Sequence, residues 1–281
     1  MKTISHNSGL VGDSLCALPA IWEKAHTEGQ VALWMDNQAV QHLLPASDAI
    51  VHLSEKPDTA DYQMDVGPVF SKYVSTAHMS QGYYDQLGLP VPQSVPESPV
   101  RLRKLNQIRE AKDSMVAVLA APWVDVLISP FSRSDHNHNK KWFDDRWVIV
   151  VRHLIQLGHK VCVLGSAEDR LSRTAKAIHH AGSVKPAAFV EVYGEELSHV
   201  LDLIRQAKMC LTIDNGISHC VAALQVPHLL LYPKCLPFPW VRNPNGNAHH
   251  IHDEPVNIKS SQVCVQMTLL LDIYSRGEQT V

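Results

Sequence analysis

Four short segments place polar groups where phosphate and sugar chemistry would need them. The first is Gly9-x-x-Gly12-Asp13, ahead of a helix pattern. Glycines after an opening strand let backbone N–H groups approach a ligand, and a helix N-terminus favours an anion there. Asp13 also sits where a helix cap would sit, so a plain capping role is the alternative. The second is Lys140-Lys141-Trp142, after the strand-like VDVLISP and the polar run FSRSDHNHN. Ligands of open α/β sheets bind outside the carboxyl ends of strands, and a lysine there is a point charge suited to a diphosphate. A solvated basic turn would look the same. The third is Asp214-Asn215-Gly216-Ile217-Ser218-His219, between MCLTI and the helix-like ISHCVAAL. Gly216 would free the first helical N–H groups for phosphate, and Ser218 adds a hydroxyl. Asp214 suits sugar hydroxyls or loop orientation better than a phosphate. The fourth is Gly165-Ser166-Ala167-Glu168, where Glu168 either accepts from donor hydroxyls or favours a helix N-terminus.

Other chemistries find less support. Seventeen histidines include His136 with His138, His179 with His180, and His249, His250 and His252. None lies in H-E-x-x-H or beside a ligand-like cysteine or carboxylate, so they read as surface or satisfied residues and no metal is expected. Six cysteines form no C-x-x-C pair and read as buried free thiols in a reducing compartment. The net charge of −3 gives no global case for nucleic acid. The N-terminus lacks an apolar signal core and no run is long enough to span a bilayer, which predicts a cytoplasmic protein with peripheral membrane contact left open.

The elements that must hold these segments alternate. VALWM (31–35), AIVHL (49–53), VDVLIS (124–129), KVCVLG (160–165), AFVEVY (188–193), MCLTI (209–213) and HLLLY (228–232) read as strands. Helix patterns cover 14–28, 144–156, 168–180, 195–206, 217–224 and 261–274. Such alternation predicts α/β architecture with parallel sheets. LPVPQSVPESPV (89–100) has four prolines and reads as a loop. A helix is expected from about 105 to 121, with the domain boundary near 115–123: residues 1–120 form one Rossmann-like domain and 121–281 a second. Three of the four polar segments fall on the second domain and one on the first, as a cleft between two such domains requires.

Three longer stretches carry a resemblance. They are G-D-S-L-C-A-L-P-A-I near the start, K-K-W-F-D-D-R-W…L-G-H-K-V-C-V-L-G-S-A-E-D in the middle, and D-N-G-I-S-H-C-V-A-A-L-Q-V-P-H-L-L-L-Y late. The chain resembles the bacterial ADP-heptose:lipopolysaccharide heptosyltransferases, a glycosyltransferase family 9-like group with the GT-B fold. The resemblance implies an N-terminal acceptor-binding domain, a C-terminal donor-binding domain facing it, and inverting transfer without a metal or other cofactor. It implies an ADP-linked sugar as co-substrate and a glycan or lipid-linked acceptor in lipopolysaccharide synthesis. It assigns Asp13, after Gly12, as general base, and Lys140 or Lys141 to phosphate. Glu168 falls near the nucleotide, and Asp214, Asn215, Gly216, Ser218 and His219 fall around the donor. Asn215 stands where the family usually has threonine or serine, and the N-terminal half is shorter than usual. Two alternatives stay open: the same fold acting on another acceptor, such as protein or phage-modified DNA, or an inactive nucleotide-sugar-binding protein.

Overall fold

The computed structural model describes residues 1–74, 76–96, 98–100, 124–132, 140–234 and 247–275. Described residues 1–100 form one compact unit and the remainder a second. The expected 105–121 helix, the 115–123 boundary, His136, His138 and Cys235 lie outside the described residues.

In the first unit, β1 (Lys2–His6), β2 (Val31–Met35), β3 (Ile50–His52) and β4 (Tyr62–Met64) form a sheet in the order β3-β2-β1-β4. All its pairings are parallel. The helices are α1 (Val11–Glu28), α2 (Gln38–Gln41), α3 (Val66–Tyr73) and α4 (Met79–Gln86). β2 is buried along its whole length, as strands covered on both faces must be. α3 and α4 meet at Gly82, where a Cβ would lie 2.4 Å from Cγ1 of Val69. Residues 89–96 and 98–100 form neither helix nor strand, as their prolines require.

The second unit holds β5 (Val126–Ser129), β6 (Val161–Gly165), β7 (Phe189–Tyr193), β8 (Met209–Ile213), β9 (His228–Tyr232) and β10 (Ala248–His252). Its helices are α5 (Asp144–Gln156), α6 (Arg173–Gly182), α7 (Leu197–Gln206), α8 (Gly216–Ala223) and α9 (Ser260–Ser275). The strand order is β10-β9-β8-β5-β6-β7, again all parallel. Counted from β5, this is the 3-2-1-4-5-6 order of the doubly wound fold, and its topological switch point lies between β5 and β8. The core packs Val126, Ile128, Val161, Val163, Met209 and Leu211 against Trp147, Val150, Val151 and Leu154 of α5.

Two expectations are corrected. α1 starts at Val11 with Leu10 as its cap, so Asp13 lies in the first turn and does not cap the helix. The helix expected over 168–180 is broken at Ser172. That residue has an extended backbone, and its Oγ accepts from the Ala175 N–H and starts α6 there.

Candidate functional site

Three of the polar segments directly follow a strand, β1, β6 or β8, and Lys140 is tied to the end of β8 through Asp214. After β1, the loop to α1 is held by its own serines. Ser8 Oγ donates to Asp13 Oδ2 at 2.9 Å and accepts the Leu10 N–H at 3.3 Å. Ser14 Oγ donates to Ser8 O at 3.0 Å. Asn37, just beyond β2, donates to Gly9 O at 2.9 Å. The loop is therefore braced from both sides, and Asp13 is held at one carboxylate oxygen. Gly12, beside it, is buried. Beneath it, His6 Nε2 approaches the Tyr83 hydroxyl at 3.4 Å. Burial first, and the Asp13 charge second, push the Tyr83 phenol upward. Spacing patterns did not single out Ser8, because a serine five residues before a carboxylate is not a motif.

In the second unit the switch point gathers residues from distant parts of the sequence. Lys140 forms an ion pair with Asp214 at 2.5 Å. Asp214 is only 4% exposed, so the lysine neutralises a carboxylate that burial would otherwise penalise. Its neighbour Trp142 is buried and donates to Ile258 O at 2.9 Å. Arg146 donates to the carbonyls of Pro255 and Val256 at 2.7 and 2.9 Å. These anchors set the direction of the segment. Lys140 reaches Asp214, whereas Lys141 is exposed and lines a surface depression with Asp144, Asp145, Arg173 and Glu254.

The start of α8 is closed by a reciprocal cap. Asn215 Oδ1 accepts the Ser218 N–H at 3.0 Å, and Ser218 Oγ accepts the Asn215 N–H at 3.4 Å while donating to Asn215 O at 2.7 Å. The Ser218 hydroxyl is thus spent inside the turn, which leaves the Gly216 and Ile217 N–H groups as the donors at the helix start. His219 follows, partly buried. Asn215 Nδ2 points the other way, to Ser129 Oγ at 3.0 Å, Ser129 O at 3.3 Å and Phe131 O at 2.8 Å.

Glu168 is exposed at the end of β6, where it opens a short turn. That turn is organised by Asp169, whose Oδ2 accepts from Ser166 N and Ser166 Oγ, both at 2.8 Å. Phe131 and Tyr193, with ring centroids 6.0 Å apart, cover Gly165 so closely that a Cβ there would meet both rings within 2.9 Å. Sequence reasoning missed Ser129, Phe131, Asp169 and Tyr193.

Two of the histidines that the sequence groups together have side-chain partners elsewhere in the second unit. His249 meets the Tyr274 hydroxyl at 3.0 Å, and His179 meets Glu191. No group of three or more His, Cys, Asp or Glu able to hold a metal ion occurs among the described residues. Among the described residues, five cysteines are buried and free. No helix among the described residues is long and apolar enough to cross a membrane.

Solved structures share this fold. The chain is similar to an ADP-heptose lipopolysaccharide heptosyltransferase II of E. coli, with TM-score 0.72 and 14% identity over 98% of this chain and 100% of that one. It is similar to the E. coli heptosyltransferase WaaC with ADP, with TM-score 0.67 and 13% identity over 96% of this chain and 100% of that one. It is also similar to the iron-containing dodecameric glycosyltransferase TibC of enterotoxigenic E. coli, with TM-score 0.70 and 18% identity over 99% of this chain and 78% of that one. No curated protein matches the chain. The family model described as glycosyltransferase family 9 (heptosyltransferase) matches residues 62–256, which include Lys140, Glu168 and the whole 214–219 turn. The chain therefore belongs to glycosyltransferase family 9, the heptosyltransferases.

Proposed function

We propose that the protein transfers a heptose-like sugar from an ADP-linked donor to a glycan or lipid-linked acceptor of the cell envelope, with inversion and without a metal. The observation that carries this reading is the Lys140–Asp214 pair at the switch point of the second unit, beside the N–H groups that open α8. Doubly wound sheets bind nucleotides at that point, and a lysine next to a helix N-terminus suits a diphosphate.

In this reading the first unit receives the acceptor and the second the donor. The acceptor oxygen attacks the anomeric carbon while the bond from that carbon to the diphosphate oxygen breaks. Asp13 takes the acceptor proton, and the nucleoside diphosphate leaves with the electron pair. Lys140 and the first N–H groups of α8 stabilise the charge that develops on the diphosphate. Glu168 hydrogen-bonds hydroxyls of the nucleotide. The named activities of the similar E. coli enzymes support the choice of ADP and heptose. Buried free cysteines suit a reducing, cytoplasmic compartment, with the acceptor met at a membrane face.

A thermal-shift panel of ADP-, UDP-, GDP- and CDP-sugars tests the reading. Ligand binding raises apparent stability by RT ln(1 + [L]/Kd), so ADP-heptose should give the largest rise, unchanged by a chelator. No rise with any nucleotide sugar, or a rise that needs added Mg²⁺, would contradict it.

A further inference from the structure

We propose that Asn215 is a positioning residue whose carboxamide sets the spacing between the β5 loop and the start of α8, and thereby the affinity for a nucleoside diphosphate. The inference rests on the donor site proposed above.

The β5–β8 ladder ends at the pair Ser129 and Thr212. Beyond it the two chains diverge, as they must at a switch point, and backbone pairing no longer fixes their separation. Asn215 restores the tie. Its Nδ2 carries two protons and faces three oxygens of the 129–131 segment, while its Oδ1 holds the Ser218 N–H. One short amide therefore bonds both walls of the gap.

Other side chains would do only half of this. A serine or threonine caps the helix with one oxygen but has no second arm to reach Ser129 and Phe131. An aspartate also caps, yet it would turn an oxygen toward three oxygens. The residue immediately before Asn215 is Asp214, the partner of Lys140, so a shift of this turn also displaces the lysine's anchor.

The test uses the full chain and ADP as probe, with affinity read by calorimetry at a temperature where circular dichroism shows each variant folded. Asn215→Ser keeps a capping oxygen and should weaken ADP binding by about tenfold or more, the scale of one or two lost hydrogen bonds. Ser129→Ala, which removes a single hydroxyl, should weaken it by about two- to fivefold. The double variant should bind ADP about as Asn215→Ser does, because both changes cut the same tie. A lowered melting temperature with unchanged ADP affinity would make the tie purely structural and overturn the proposal, as would fully multiplicative effects. If Asn215→Ser does not fold, Ser129→Ala decides alone, and unchanged affinity overturns the proposal. Failure of wild-type protein to bind ADP, UDP, GDP or CDP would instead overturn the donor-site reading itself.

Discussion

Lys140 holds two obligations at once. It neutralises Asp214, which is almost fully buried, and in the proposed reaction it binds the diphosphate. Lys140→Ala should therefore lower both stability and donor affinity, because removing one partner strands the other charge. The two losses separate in Lys140→Ala/Asp214→Asn, where no uncompensated charge remains. Melting temperature should recover, while donor affinity stays about ten- to a hundredfold below wild type. Recovery of donor affinity in the double variant would remove Lys140 from diphosphate binding. Asp13 presents the complementary case. Asp13→Asn can still accept the Ser8 hydroxyl but cannot take a proton. The expected result is a stable protein that binds donor and transfers about a hundredfold more slowly or worse. Near-normal turnover would leave Asp13 a structural part of the α1 turn. At this scale Lys140 and Asp214 were legible in the sequence as charged residues lying between a strand pattern and a helix pattern. Their supports were not. Asn215 and its partners are 84 to 86 residues apart, and no local pattern links them.

Elements were legible in proportion to their burial. MCLTI and HLLLY are buried at every position, and the apolar run alone marks them as strands. β10 gave no such signal. It is an edge strand of sequence AHHIH in which only Ile251 is buried, so its histidines read as surface residues. β4 was lost similarly, with Met64 its only buried residue. α3 and α4 are eight residues each and rely on packing more than on local propensity. Their contact makes a prediction. A methyl at position 82 would meet Val69 Cγ1 at 2.4 Å and Tyr73 Cδ2 at 3.0 Å. Gly82→Ala should cost about 1–3 kcal/mol in urea unfolding through overpacking. Val69→Ala should cost stability by opening a cavity. Combined, the two should cost less than their sum, because the new methyl occupies the space that the valine vacates. Strict additivity would mean that α3 and α4 relax apart without resisting.

Among the described residues each compact unit carries a histidine whose deep burial disfavours its charged form, His6 in the first and His228 in the second, and this sets the response to acid. Burial pushes the imidazoles of His6 and His228 down to about 4. His6 is fully buried, and its Nδ1 has no hydrogen-bond partner among the described residues. His228 Nδ1 meets the Val226 carbonyl at 3.0 Å. In the unfolded chain both rings titrate near 6.5. Between those values the unfolded state binds more protons, so stability falls as pH falls. The contribution is fully present above about 6.5, declines below it, and is exhausted below about 4. One pH unit is worth about 1.4 kcal/mol for each group, so acidification from pH 7 to 5 should remove about 2 kcal/mol from each unit. Glu28 acts in a lower window: held down to about 2, first by Lys24 and then by Lys2, it loses its stabilisation as pH falls from about 4.5 toward 2. Partly buried His159 and His249, also lowered by burial, add in the same direction. Urea unfolding at pH 7 and pH 5 checks the sign, and His6→Phe should flatten the slope for the first unit only. Equal stability at the two pH values would show that these rings take up protons inside the fold as readily as in the unfolded chain.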